Sequence, residues 1–440
     1  MLLDQQSAIR TPDCAGAPAW PEPGFDAWLQ RDIAAPLIVA VSGGGDSLAL
    51  LLMAHAWAAR AGRRLILATV DHGLQAAGAD WAARCAARAV ALGLEHRTLA
   101  WTGDKPAAGL PAAARAARHA LLADLARAAG AGVILMGHTA DDLLEAAAMR
   151  AAGATTPDPR PWSPSPAWPQ GRGVFLLRPL LGVRRAALRA WLAARGETWI
   201  EDPANADPRF ARARARAGLS GGETAGGGRP EAMTAEPAAT ALAGPDGSLT
   251  FARGILARRD GPAARTLAAA LVCAGGGARP PARAQVVRLL ERLAARETFS
   301  ASLSGARIEA ENDRIVIARE AGEFRRARAP TVPLPDGETV VWDGRFTLTA
   351  HRPGLAARPL AGLMAKLDPH ESKALARLPA AARGGLPAVV DDGGAVTCPI
   401  LAQGPDVAAE SLVAARFLAA SGAVRDEETL WRVAKAARTS

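Results

Sequence analysis

The chain of 440 residues carries 52 Lys and Arg against 43 Asp and Glu, a net charge of +9, and half of its residues are apolar. That length corresponds to roughly three domains with ample material for a core. Four scattered cysteines, Cys14, Cys85, Cys273 and Cys398, exclude a disulfide framework, a zinc site and an iron–sulfur cluster; no apolar run reaches membrane-spanning length and Met1 to Arg10 has no apolar leader segment, so a cytoplasmic protein without membrane contact is expected.

Of the basic residues only Lys105, Lys366, Lys373 and Lys435 are lysines, so arginine carries the positive excess. Arginine suits planar, bidentate contacts to phosphate, which makes a polyanion such as RNA a partner to consider. An Arg- and Ala-rich chain can equally reflect genome composition, and charge alone does not separate the two.

After an N-terminal extension over 1–35, the apolar run Leu37–Val41 predicts a buried strand. It enters Ser42-Gly43-Gly44-Gly45-Asp46-Ser47 and then a helix over 47–61. A strand, a Gly-rich turn and a helix N-terminus together make a phosphate cradle, because small residues let backbone N–H groups converge on an anion that the helix dipole also favours. ATP handling is the implied function. A Walker loop would place Lys after its last glycine, where Asp46 and Ser47 stand, and the spacing is not that of a G-x-G-x-x-G dinucleotide loop.

Further strands are expected at Leu65–Val70, Glu95–Leu99 and Val133–Met136, with helices over 79–92, 111–129 and 140–151. This alternation predicts an α/β fold, a parallel sheet with helices on both faces and a ligand crevice at the carboxyl ends of the strands. Asp71-His72-Gly73 falls at such an end. At another, Gly137-His138-Thr139-Ala140-Asp141-Asp142-Leu143-Leu144-Glu145 brings Asp142 and Glu145 onto one helical face, with His138 four residues before Asp142. Such acids could hold Mg²⁺ or the ammonium group of an amine substrate, and the helix dipole alone would favour Asp141 and Asp142. A zinc-protease helix would need a second His, which is absent.

The stretch 155–170 holds six prolines and reads as an exposed loop or insertion. In Trp199–Arg216, Pro208 suits a helix start capped by Asp207, and Arg209, Arg212 and Arg216 form a stripe at helical spacing. The stripe is either a footprint for phosphates or a solvated basic face. A catalytic domain over 36–217 would be followed by a flexible linker at 218–248, a helical and mixed middle domain at 249–325 and a small C-terminal α+β domain at 326–440. In the middle domain Val286, Val287, Leu289, Leu290 and Leu293 mark an amphipathic helix, and hairpins are expected around Glu311-Asn312-Asp313 and Asp343-Gly344.

The loop Ser42–Ser47 resembles the pyrophosphate loop of the N-type ATP pyrophosphatases. Together with Val70–Leu74, Ala114-Arg115-Ala116-Ala117-Arg118, His138–Glu145, Leu177-Arg178-Pro179-Leu180-Leu181 and Glu201–Arg216, it resembles one family in particular, the tRNA(Ile)-lysidine synthetases, over about residues 36–216. Leu143, Thr139, Ala146 and His119 depart from the residue types usual there. The resemblance implies a PP-loop fold like that of the adenine nucleotide alpha hydrolases. It also implies ATP-dependent joining of L-lysine to C2 of the wobble cytidine in a tRNA(Ile) with a CAU anticodon, through an adenylated cytidine, with release of AMP and pyrophosphate. Ser42, Gly43, Gly44, Gly45, Asp46 and Ser47 would hold the phosphates, with Asp46 near Mg²⁺, and Asp71, His72 and His138 would line the nucleotide pocket. Arg118 would neutralise the leaving pyrophosphate, and Asp142 and Glu145 would bind or deprotonate lysine. Arg209, Arg212 and Arg216 would contact tRNA phosphates, the later domains would grip the tRNA body, and a homodimer is compatible with this scheme. A tRNA 2-thiocytidine sulfurtransferase would be expected to carry CxxC pairs, which are absent. A degenerate ATP- or RNA-binding module sits poorly with the presence of Asp46, Arg118, Asp142 and Glu145.

Overall fold

The structure, a computed structural model, describes residues 24–440 apart from 155, 157–158, 204–206, 210, 220–240, 259, 328–330 and 440. Cys14, the first part of the expected N-terminal extension and most of the expected linker lie outside the described residues. By contact the chain divides into two compact units, residues 1–163 with 174–233, and residues 164–173 with 234–440.

The first unit is built on one sheet. Its strands are β1 (Leu37–Ala40), β2 (Leu65–Asp71), β3 (Glu95–Ala100), β4 (Val133–Met136), β5 (Trp162–Pro164) and β6 (Phe175–Leu177), in the order β3-β2-β1-β4-β6-β5. β1 pairs in parallel with β2 and β4, β2 with β3, and β4 with β6. Helices α1 (Gly45–Arg60), α2 (Gly78–Ala91), α3 (Leu110–Ala128) and α4 (Ala140–Ala151) alternate with these strands, and α5 (Arg185–Ala194) and α6 (Ala211–Leu219) come after them. The parallel α/β architecture expected from the alternation is therefore present. Ile38, Ala40, Ile66, Ala68, Ile134 and Met136 share a core with Leu122 and Ala126 of α3. The intervening Leu37, Val39, Leu65, Leu67, Val133 and Leu135 are buried too, and α1 packs on β1 and β4. Burial on both faces is why these strands read as unbroken apolar runs.

One expectation needs amendment. The proline-rich stretch is more than a loop, because β5 extends the sheet from within it and Trp162 is buried, stacked on Phe175 at 5.1 Å between centroids. Proline is tolerated there because an edge strand leaves some N–H positions unpaired.

The second unit begins with β7 (Leu242–Ala243), β8 (Leu249–Ala252), α7 (Arg253–Leu256), α8 (Gly261–Gly275) and α9 (Arg283–Ala294), followed by β9 (Phe299–Leu303), β10 (Ala306–Ala310) and β11 (Arg314–Arg319). These strands form a sheet in the order β7-β8-β11-β10-β9. The amphipathic helix α9 buries Val286, Leu289, Leu290 and Leu293, whereas Val287 is exposed. The expected hairpin appears as β10 and β11, with Ala310 opposite Ile315. The last residues of the stretch expected as linker are built into this sheet through β7, and Asp246 and Ser248 are buried in the turn between β7 and β8.

Later in this unit come α10 (Gly322–Arg326), β12 (Val332–Leu334), β13 (Thr339–Trp342), β14 (Phe346–Ala350), β15 (Leu355–Pro359), α11 (Pro369–Ala376) and α12 (Ala380–Arg383). They are followed by β16 (Pro387–Asp391), β17 (Val396–Thr397), β18 (Val407–Ser411), α13 (Val413–Ser421) and α14 (Glu427–Thr439). Two small sheets, β12-β15-β16-β17 and β13-β14-β18, share a core that includes Trp342, Phe346, Leu355 and Leu386. β13 and β14 pair as far as Trp342 opposite Phe346, with Asp343 (φ 49°), Gly344 (φ 64°) and Arg345 between them; Arg345 N–H donates to Trp342 O at 3.1 Å, closing a turn whose two central residues are left-handed.

Candidate active site

β1 lies between β2 and β4, and the strand order runs away from it in both directions, so the loops after β1 and β4 part and leave a crevice between them. The loop after β1 is Ser42–Gly45, and the first-turn amides of α1 have no helical acceptor of their own. Ser47 Oγ donates to Gly44 O at 2.9 Å and accepts from Ser42 N–H at 3.3 Å, which ties the loop into a closed turn. Gly43 (φ 81°) lies against Ile200, whose Cδ1 would be 2.3 Å from an added Cβ, and Ile200 N–H donates to Gly43 O at 2.9 Å. Gly137 after β4 packs so closely on α1 that an added Cβ would meet Asp46 O at 3.0 Å. Small residues are thus needed on both banks.

Two cavities open from the crevice. One of about 330 Å³ is lined by Ser42, Val70, Asp71, His72, Arg118 and Ile200, among others, and is the more apolar. The other, of about 240 Å³, is lined by Gly44, Asp46, His138, Asp142, Arg185 and Arg212, among others. Asp71 Oδ1 accepts from Gly73 N–H at 2.9 Å, which shapes the turn after β2. Burial, and next the Arg118 charge, lowers the His72 pKa.

The acids are organised by α4. Thr139 and Asp142 form a capping box in which Asp142 Oδ2 accepts from Thr139 N–H at 2.7 Å, leaving Oδ1 for the Arg212 guanidinium. Glu145 is 1% exposed, and three guanidinium groups converge on it. Arg212 Nε donates to Oε2 at 2.7 Å, Arg216 Nε to Oε1 at 2.8 Å and Arg185 Nη1 to Oε1 at 3.1 Å. Arg212 also pairs with Asp142, and Arg185 Nε donates to Asp46 Oδ2 at 2.8 Å. Burial works to raise the Glu145 carboxyl, but the hydrogen bonds from Arg216 and Arg212 outweigh it and hold the pKa below the usual range. Asp46 goes the other way: burial dominates, its pKa is raised, and Oδ1 is buried with no hydrogen-bond partner. Asp141 faces elsewhere, accepting from Arg185 N–H at 2.7 Å and from Arg184, so it clamps the start of α5.

Sequence reasoning misses the residues that orient the others. Arg178 donates from Nε to His138 Nδ1 at 3.2 Å and is itself held by Arg160 O and Ser163 Oγ at 2.8 and 2.9 Å. Burial, then Arg178, pushes the His138 pKa well below normal. A neutral ring accepting at Nδ1 carries its proton on Nε2. Arg178 belongs to the Leu177–Leu181 motif, yet nothing in that motif says what it touches, and Arg185 has no local signal at all. The helix expected to start at Pro208 begins at Ala211 instead, so Arg209 lies ahead of it, exposed and paired with Asp207 at 2.6 Å, while Arg212 and Arg216 within the helix turn to the acids.

Among the described residues, Cys85, Cys273 and Cys398 are buried, and burial pushes the thiols of Cys273 and Cys398 up to about 12. Sulfur transfer through a thiolate has no support in such groups. No helix among the described residues is long and apolar enough to cross a membrane.

The family model of the PP-loop domain matches residues 24–221. Parallel sheet, Gly-rich loop and match together place the chain among the PP-loop enzymes that use ATP. A tRNA(Ile)-lysidine synthase from Caulobacter vibrioides is 43% identical over 401 residues, covering 89% of this chain and 95% of that protein. Those from Hyphomonas neptunium and Rhizobium meliloti are 37% and 36% identical, over 72% of this chain in each case and 87% and 74% of theirs. The chain belongs to the tRNA(Ile)-lysidine synthase family.

Proposed function

We propose that this enzyme joins L-lysine to C2 of the wobble cytidine of a tRNA(Ile) with a CAU anticodon at the expense of ATP. The observation that carries the reading is the convergence, in a member of this family, of the Ser42–Ser47 loop and Asp142 on one cavity, with the buried Glu145 held directly behind the Arg185, Arg212 and Arg216 side chains that line it. Ser42, Gly43, Gly44, Gly45 and Ser47 would take the phosphates through first-turn amides and hydroxyls. Asp71 and His72 would border the nucleoside, and His138 would donate from Nε2 into the phosphate cavity.

In the first step cytosine O2 bonds to the α-phosphorus and the bond to pyrophosphate breaks. Arg118, whose pKa is lowered to about 10 by burial and by Arg115, remains a cation at neutral pH and faces the charge that develops there. In the second step the lysine ε-nitrogen bonds to C2 and the C2–O2 bond breaks, so AMP leaves with the oxygen. The ammonium must first lose a proton, and in this reading Asp142 and Glu145 would bind it and accept that proton.

Mg²⁺ suits the unpartnered Asp46 Oδ1, since Mg²⁺ is commonly held by one or two carboxylates plus substrate phosphates. When bound it would neutralise phosphate charge. No described group of three or more His, Cys, Asp or Glu residues makes a metal cage on its own. Arg209 and residues of the second unit are the candidates for tRNA phosphate contacts. The proposed chemistry draws on residues of one chain, so it does not require a homodimer. The test is product formation from ATP: pyrophosphate should appear only with tRNA(Ile) present, and multiple turnover should need lysine. Pyrophosphate release that is indifferent to tRNA would refute the reading.

A further inference from the structure

A third cavity, of about 140 Å³, opens beside the other two and is lined by His72, Arg115, Arg118, His119, Met136 and His138. His72 and Arg118 also line the nucleotide cavity, and Arg118 and His138 the phosphate cavity. Arg118 therefore stands where all three meet. His138 is engaged by Arg178 through Nδ1, but other polar groups of this third cavity are not consumed by the protein. His119 is 4% exposed, yet its Nδ1 has no hydrogen-bond partner, and neither has the buried Nδ1 of His72. Burial and the Arg118 charge keep both rings neutral, His119 being pushed down to about 3. Arg115 and Arg118 make no ion pair with a carboxylate among the described residues.

An anion would satisfy the guanidinium donors but would leave two neutral imidazole nitrogens unmet. A flat ring that offers two acceptors and one amino group satisfies both sets. The positive field of Arg115 and Arg118 favours imidazole tautomers whose lone pairs face the cavity. Resting on the lysidine reading above, we propose that this cavity takes the pyrimidine ring of the substrate cytidine, with Arg115 and Arg118 donating to O2 and N3 and the Nδ1 atoms of His72 and His119 accepting from the exocyclic amine. O2 then lies beside Arg118, at the junction with the phosphate cavity where it must reach the α-phosphorus. Uracil would set its N3–H against guanidinium donors and bring a carbonyl in place of the amine, so the cavity selects cytidine over uridine. His119 is on this account a specificity-determining residue of this chain.

The test crosses protein and base. Pyrophosphate release is measured with tRNA(Ile) bearing cytidine, or its analogue pyrimidin-2-one with O2 and N3 but no amine, at the wobble position. The unaltered enzyme should use the analogue roughly tenfold less well, as a site with buried groups left unpaired does. His119→Phe should lower use of cytidine and leave use of the analogue nearly unchanged, so that the two converge. His119→Gln, which keeps an amide acceptor, should retain part of the discrimination, and ATP binding by calorimetry shows whether each variant is folded. Equal losses on both bases, or equal use of both by the unaltered enzyme, overturn the cytidine pocket while leaving the lysidine reading intact. Absence of pyrophosphate from the unaltered enzyme with either tRNA overturns both.

Discussion

Glu145 shows what one residue's surroundings decide. Its position three residues after Asp142 on a helix is plain in the sequence, but the guanidinium groups that hold it come from 40 to 71 residues further along the chain. No local pattern encodes that meeting. Glu145→Gln should keep the shape and lose the charge, so lysine-dependent turnover should fall at least tenfold while tRNA-dependent pyrophosphate release without lysine falls less, a factor of ten being about 1.4 kcal/mol. The reverse pattern would move the acid to the Mg²⁺–ATP side. Asp46→Asn, by contrast, should depress pyrophosphate release with the far-ultraviolet circular dichroism unchanged. Histidine sets the pH response: the ordinary pKa of 6.5 drops to about 3 for buried His119. Between those values the unfolded chain binds a proton that the folded chain refuses, so stability falls on acidification from pH 6.5 and is indifferent above it. Urea midpoints at pH 7 and pH 5 should therefore differ less in His119→Phe than in the unaltered protein.

At the scale of elements, the first four strands and four helices lie within one or two residues of their expected bounds, because continuous apolar runs and Ala-rich helical stretches have little alternative reading. β6 and α5 escape a sequence reading. Phe175–Leu177 is too short to stand out, and α5 carries arginines where an acidic first turn would have marked its start. α6 is legible as a basic helix, but its direction is not: Arg212 and Arg216 lie on the acids that would receive an ammonium. An ammonium entering there would compete with guanidinium groups already bound to the same oxygens. If tRNA phosphates draw these arginines away, Arg212→Ala with Arg216→Ala should lower the lysine KM, weaken tRNA binding and reduce the salt slope of that binding by about 1 to 2. An unchanged slope with a raised lysine KM would make α6 a support for Glu145 and nothing more.

At the scale of the whole molecule, the second unit is held by a buried charge network that no sequence pattern announces. Arg345 is 1% exposed, its Nε donates to Asp343 Oδ2 at 2.8 Å, and Arg319 Nε donates to the same oxygen at 2.9 Å. Asp343→Ala would leave two buried guanidinium groups without their shared carboxylate, and about 3–5 kcal/mol of destabilisation is expected in the unfolding of this unit. A calorimetric transition unmoved by the substitution would show that the network is dispensable. What the sequence conveys best is chemistry concentrated in short segments, the Ser42–Ser47 loop and His138–Glu145, and what it conveys least is how arginines distant in the chain fill the space between them. The central claim is the reaction itself. Incubation of the enzyme with ATP, L-lysine and tRNA(Ile) with a CAU anticodon, then mass spectrometry of the tRNA nucleosides, should show wobble cytidine replaced by its lysine adduct, and only when both ATP and lysine are present. Unmodified cytidine after complete conditions, or a sulfur-containing base in its place, would contradict the account.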